Sequence, residues 1–161
     1  MNGEDRGGVL QIFIVADAGE PMQEVCEVGA ILGKGLEGDR YADRYASDRG
    51  IFSKAREAIR HATLIEIEAI RVANSYLNEA ILPEETRRNI VVNNFPLNGL
   101  VGKEFTVGQV RMRGVELCTP CNRPSKLADK PGFREAFSGR GGLRVEILSS
   151  GSIRVGDFCL R

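Results

Sequence analysis

The stretch KEFTVGQVRMRGVEL, Lys103 to Leu117, decides how the fold is read. Branched and aromatic residues flank a Gly108 turn, the composition that suits a half-buried pleated surface. In its second half, Val110, Met112 and Gly114 fall on one face of a strand and Arg111 and Arg113 on the other. That is the period of two expected when one face packs on a core and the other meets water.

Working outward, similar signals recur. VLQIFIVA (Val9 to Ala16) reads as a buried strand, and MQEVCEVGAI (Met22 to Ile31) as a second that alternates. RRNIVV (Arg87 to Val92) reads as a strand entered through a polar corner. LRVEIL (Leu143 to Leu148), a turn at Ser149, Ser150 and Gly151, then SIRVGDFCL (Ser152 to Leu160) predict a terminal hairpin. FTVGQV and IRVGDF are alike, but no fixed period recurs, so the likeness marks two similar strand turns and no repeat architecture. GKGLEGDRYADRYASDRG (Gly33 to Gly50) has little periodicity and predicts a long loop, a feature more often functional than idle. ATLIEIEAIRVANSYLNEA (Ala62 to Ala80) predicts the best helix: Thr63 and Glu66 form a capping-box pattern, and Leu64, Ile67, Ile70, Ala73 and Leu77 follow at helical spacing. GFREAF (Gly132 to Phe137) predicts a short helix behind Pro131. The expected fold is mainly β with a few peripheral helices, an α+β arrangement around a closed or nearly closed barrel, which leaves few edges exposed.

Length and charge narrow the function. A chain of 161 residues is expected to be a single domain spanning 1–161. Lys plus Arg is 22 and Asp plus Glu is 22, so the net charge is zero. That balance argues against a nucleic-acid partner, which calls for an excess of positive charge on one face. It leaves room for a local basic pocket. No stretch approaches the roughly 20 apolar residues of a membrane span. Four cysteines with no convincing secretion signal fit a reducing compartment, and a cytoplasmic location with no membrane partner is expected.

The chemistry concentrates in GVELCTPCNRPSKL, Gly114 to Leu127. A structural zinc site needs four ligands, and Cys26, Cys159 and His61 form no second pair beside Cys118 and Cys121. A redox dithiol of the thioredoxin kind needs a helix after the pair, whereas Pro120 and Pro124 predict a kinked loop. A single reactive thiol is the third reading: Arg113, Arg123 and Lys126 lie close in sequence, and cationic neighbours favour a thiolate. Cys118, beside Leu117, is as readily a core residue as a functional one, while Cys121 between Pro120 and Asn122 is ill suited to a core. Three further corners, GLEGDR (Gly35 to Arg40), TRRN (Thr86 to Asn89) and GRGGLR (Gly139 to Arg144), set arginine beside glycine or at a strand end. Guanidinium forks and exposed backbone amides both suit anions. Singly each is a turn; together with the cysteine loop they predict an anion-lined pocket. His61 alone reads as a capping or packing residue.

The order GLEGDRYA, HATLIEIEAI, RRNIVVNNFPLNGLVGKEFTVGQVRM, LCTPCNRP and GRGGLRVEILSSGSIRVGD resembles the MOSC domain family, named for the C-terminal part of molybdenum cofactor sulfurases. The resemblance runs from about Gly33 to Asp157. It implies a barrel-containing β fold and a role in handling sulfur or binding molybdenum cofactor. It implies that Cys121, in its Pro-Cys context, carries sulfane sulfur or ligates molybdenum, with Cys118 as its companion. Arg87, Arg88 and Asn89 match the family's RRN corner, and Arg140, Gly141 and Gly142 its glycine-rich corner; with Arg40 and Arg123 they are the expected cofactor-binding residues. One departure stands out: Tyr41 follows the GDR triplet where relatives often carry histidine. No pyridoxal-phosphate-dependent desulfurase with its cofactor lysine fits within this length, so a cysteine desulfurase or another sulfur donor is an implied partner, alongside the cofactor and a molybdoenzyme. Two other readings stay open: a binding or adaptor module with a structural or redox CxxC, and the cofactor-binding component of a molybdenum-dependent reductase of N-hydroxylated compounds.

Overall fold

The Lys103–Leu117 stretch folds as the alternation requires. In a computed structural model that describes residues 6–42 and 59–161, it forms an antiparallel hairpin with Phe105 opposite Met112 and Val107 opposite Val110. Those four residues and Gly114 are buried, whereas Arg111 is exposed.

The described residues form strands β1 (Arg6–Ile14), β2 (Gln23–Val25), β3 (Glu27–Ile31), β4 (Gly35–Leu36), β5 (Ala62–Glu66), β6 (Ile90–Asn93), β7 (Glu104–Val107), β8 (Val110–Leu117), β9 (Leu143–Ile147), β10 (Gly151–Arg154) and β11 (Phe158–Leu160). The helices are α1 (Ile67–Asn74), α2 (Arg123–Ala128) and α3 (Phe133–Ala136). Seven strands run in the order β11-β7-β8-β9-β5-β6-β1, and the ring closes because β11 also pairs with β1. All its pairings are antiparallel except β5–β6. β2 extends the sheet beyond β1, and β10, β3 and β4 make a small second sheet. The expected barrel is therefore present and closed.

Two cores result. The barrel interior takes Val9, Ile12, Leu64, Ile90, Val92, Met112, Leu143 and their neighbours. A second cluster, with Phe13, Ile65, Val91, Ile70, Ala73, Phe133 and Phe137, joins the outer face of β1, β5 and β6 to helices α1 and α3. Strands β5 and β6 are thus buried on both faces, Leu64 inward and Ile65 outward.

That double burial corrects one expectation. The helix begins at Ile67, and Ala62–Glu66, expected as its first turns, is strand β5. A strand covered on both faces carries a continuous apolar run, and ATLIE merges without a break into the apolar stripe of α1. Thr63 bonds Asn89, and Glu66 makes no side-chain cap. Two other segments also differ. Met22–Ile31 is broken at Cys26 into strands of two sheets. The expected terminal hairpin does not form: β9 pairs with β5 and β8, β10 with β3, and β11 with β1 and β7. The expected loop 33–50 holds strand β4 at its start, and residues 43–50 lie outside the described ones.

Gly114 makes the hairpin fit its surroundings. A Cβ there would collide with the carbonyl of Leu100, where Val101 bridges to Gly114 itself.

Candidate functional site

The site grows from one buried amide. Asn89, immediately before β6, is 2% exposed. Its Oδ1 accepts from the Thr63 backbone N–H and hydroxyl, and its Nδ2 donates to the carbonyl of Phe13 and to Asp39 Oδ1. It therefore ties β1, β5 and the turn after β4 to the start of β6, and its own side chain has no capacity left for a ligand. Asp39 completes the knot. Its carboxylate accepts from the N–H groups of Val15 and Tyr41. Burial pushes its pKa up, against those hydrogen bonds and the nearby Arg40.

Around this knot stand the arginines. Arg87 occupies the left-handed region at φ 64°, and its guanidinium donates to the carbonyl of Glu20. Burial lowers the Arg87 pKa first, and the adjacent Arg40 and Arg123 lower it further. Arg88 donates to the carbonyl of Gly141 at 2.7 Å. Arg40 donates to the Tyr41 hydroxyl at 3.0 Å and stacks on its ring. Arg144, on β9, pairs with Glu116 across the β8–β9 ladder. Arg123 opens α2, and its side chain makes no hydrogen bond or ion pair among the described residues. α2 in turn docks on the 3-10 turn before Arg87, secured by a Lys130–Glu85 ion pair at 2.9 Å.

The cysteine loop closes the arrangement. Cys118 follows β8, is 5% exposed, and its N–H donates to the carbonyl of Gly142. Gly142 lies at φ 101°, and a Cβ there would strike the carbonyl of Leu64, so glycine is required for this approach. Cys121 is exposed, and both thiols are free. The expected kinked loop after the pair is helix α2 instead. Pro124 lies in its first turn, where proline's missing N–H is no loss and its fixed φ suits the helix.

One cavity collects these groups. It measures about 180 Å³ and is lined by Asp39, Arg40, Tyr41, Arg87, Arg88, Asn89, Cys118, Cys121, Arg123 and Arg144, with Val15, Met22, Thr119 and Pro124. Five guanidiniums face one carboxylate there, in a chain of zero net charge. Of the expected residues, Arg40, Arg87, Arg88, Asn89, Arg123, Cys118 and Cys121 come together. Gly141 and Gly142 support the wall through backbone contacts. Arg140 is not brought in: it donates to the carbonyl of Ala136 and lies over Tyr76 in a separate groove. His61 is buried, with Nδ1 accepting from Ile147 N–H, a packing role. Arg144, Asp39 and Tyr41 were not among the expected site residues. Arg144 and Asp39 stand in the same arginine-glycine corners, so those corners were the signal.

Among the described residues, no group of three or more His, Cys, Asp or Glu stands together as a metal cluster. Any metal held here must bring most of its own ligands. The MOSC domain model matches residues 56–159, well over half of the chain.

The chain belongs to the MOSC domain family. The matched segment holds every cavity arginine except Arg40, and both cavity cysteines. MOSC domains are associated with molybdenum-cofactor functions in general. The fold is similar to that of the YuaD protein from Bacillus subtilis, with a TM-score of 0.77 and 18% identity over 96% of this chain and 94% of that one. It is also similar to YiiM from Geobacillus stearothermophilus, with a TM-score of 0.69 and 11% identity over 96% of this chain and 74% of that one. YiiM from Escherichia coli follows, with a TM-score of 0.67 and 15% identity over 96% of this chain and 68% of that one. At these identities the likeness is one of fold. No curated protein matches the chain. No helix among the described residues is long and apolar enough to cross a membrane.

Proposed function

We propose that the MOSC cavity is a molybdenum-cofactor site whose thiol is Cys121, serving as metal ligand or as carrier of the sulfur delivered there. One observation carries this reading: five guanidiniums and an exposed thiol line the same cavity, while its one carboxylate is turned to backbone amides. That donor set fits a phosphorylated group that brings most of its metal's ligands with it. When bound, the cofactor supplies the metal chemistry that these side chains lack.

The chain's residues have distinct tasks. Arg87 and Arg88 spend one donor each on a carbonyl, and Arg40 one on a phenol; their remaining N–H groups and their whole charge stay available to a phosphate. Arg123 offers its full fork. Charge-assisted, bidentate contacts of this kind are the strong ones. Asn89 and Asp39 position the arginine corner and do not touch the ligand. Cys118, buried, forms part of the cavity wall. The cavity is smaller than the roughly 300–1,000 Å³ of sites that enclose a whole drug-sized ligand. The described residues therefore grip one end of the cofactor and leave the rest outside.

Sulfur reaches the site from a partner, a cysteine desulfurase or another donor, and a molybdoenzyme is the fitting recipient. The test is a titration of wild type, Cys121→Ser and Arg123→Gln with molybdenum cofactor released from a donor enzyme. Saturable binding by wild type, weakened roughly tenfold in Arg123→Gln as the loss of one charge-assisted contact implies, is the expected result. Equal binding by all three variants overturns the assignment.

A further inference from the structure

At about 180 Å³ the arginine-lined cavity has room for a whole small tetrahedral anion. We propose that it takes small anionic sulfane-sulfur donors of the thiosulfate class, and that Cys121 accepts their outer sulfur with sulfite as the leaving group. This names the donor for the sulfur-carrying role above and rests on that role.

The step balances without a further reagent. The Cys121 thiolate attacks the outer sulfur of thiosulfate. A new S–S bond forms at Cys121 as the donor's S–S bond breaks, and sulfite departs with the bonding electron pair. One thiolate charge and two thiosulfate charges become one persulfide charge and two sulfite charges. No net oxidation occurs, because one S–S bond replaces another.

Electrostatics is the obstacle to this reaction, and the cavity addresses it. A thiolate and a dianion repel, and repulsion at contact distance is severe once water is excluded. Five guanidiniums against one carboxylate offset the gathered negative charge. Among the described residues, only Arg144 of the five is paired with a carboxylate, Glu116. Arg40, Arg87 and Arg88 are tethered to neutral oxygens, which orient a guanidinium and leave its charge intact. Arg123 is tethered to nothing among the described residues and opens the helix just past Cys121. It is free to follow the charge from thiosulfate to the departing sulfite. The tethered Arg40, Arg87 and Arg88 are the preorganised donors, the kind whose electrostatic contribution is usually large in such displacements. A neutral donor gains only what the arginines do for the attacking thiolate, and none of the charge compensation for a bound dianion.

The chain carries its own control. Cys26 is exposed like Cys121 but lies outside the cavity, in the bend between β2 and β3. Attack by a thiolate on uncharged dimethyl trisulfide leaves a methyl disulfide or methyl trisulfide adduct on the cysteine as methyl persulfide or methanethiolate departs. The experiment incubates the full chain with thiosulfate or with this trisulfide, and unreacted donor is removed before cyanide is added. It measures released sulfite, the sulfur added at each cysteine by mass spectrometry, and thiocyanate formed when cyanide removes that sulfur. Thiosulfate should load Cys121 and not Cys26, with one sulfite released per sulfur, and Cys121→Ser should release none. Arg123→Gln should lower the thiosulfate rate about tenfold more than the trisulfide rate. Loading of Cys121 by the trisulfide but not by thiosulfate overturns the anionic-donor proposal and leaves the sulfur-carrying role standing. Loading by neither overturns both, and equal loading of Cys26 and Cys121 by thiosulfate overturns the claim that the cavity directs the reaction.

Discussion

Arg87 shows what the site asks of a single residue. Its φ of 64° suits glycine, and a non-glycine residue there bears a strain of order 1–3 kcal/mol that the surroundings must hold. Its side chain is half-buried among other cations, which further opposes it. Both features are poor for stability and apt for anion binding. Arg87→Gly is therefore expected to change stability by less than about 1 kcal/mol, while weakening retention of the cofactor or of sulfate; chemical denaturation and an anion titration check the two halves separately. Asn89 predicts the opposite split. Asn89→Ala strips partners from the Thr63 N–H and the Phe13 carbonyl, both buried, and should cost about 2–4 kcal/mol, read as a lower denaturant midpoint at unchanged slope. The two thiols and the arginine corners were legible in the sequence, because charge beside glycine and a cysteine between polar neighbours are local signals. The structural duty of Asn89 was not. It depends on Phe13, Asp39 and Thr63 meeting, and they lie 76, 50 and 26 positions away.

The elements divide in the same way. The β7–β8 hairpin was legible because one of its faces meets water, so the period of two survives in the sequence. β5 was not, because Leu64 serves the barrel and Ile65 the helical layer, and both must be apolar. The segment that forms β10 and β11 looked like one arm, paired with residues 143–148, of a chain-end hairpin. Their partners include β3 and β1, near the other end of the sequence: barrel closure dictates the β11–β1 pairing, while β10 joins β3 in the small second sheet. Close packing between elements yields its own prediction. Gly114→Ala forces the Leu100 carbonyl and the Val101 bridge to move and should destabilise the fold by about 1–3 kcal/mol, measurable as a lowered denaturation midpoint.

At the scale of the molecule, a closed barrel holds a cationic cavity on a chain with no net charge. Acidic residues elsewhere balance those arginines, which is why overall charge argued against a broad nucleic-acid surface yet said nothing of a pocket. The buried His61 makes stability depend on pH. Burial lowers its pKa below the ordinary 6.5, with nearby Glu146 opposing, and Nδ1 must stay unprotonated to accept from Ile147 N–H. The unfolded chain takes up the proton first, so this contribution is full above pH 6.5 and declines as pH falls from there toward the folded value. Asp39 acts in the opposite sense: its raised pKa favours the fold in acid, and the benefit fades as pH rises past the ordinary carboxylate range. The wild-type Tm is expected to fall as pH drops through 6.5. His61→Gln, whose amide oxygen can accept the same N–H, should flatten that fall; an equal fall in both proteins contradicts the assignment.

The central claim, that the cofactor is held at the arginine cavity with its metal or sulfur end at Cys121, is tested most directly by alkylating the two exposed thiols with and without cofactor. Cys26 and Cys121 are both accessible in the free chain, and only Cys121 lines the cavity. The account predicts that saturating cofactor slows iodoacetamide labelling of Cys121 while Cys26 labels at its free rate. Undiminished labelling of Cys121 in the loaded protein would contradict it.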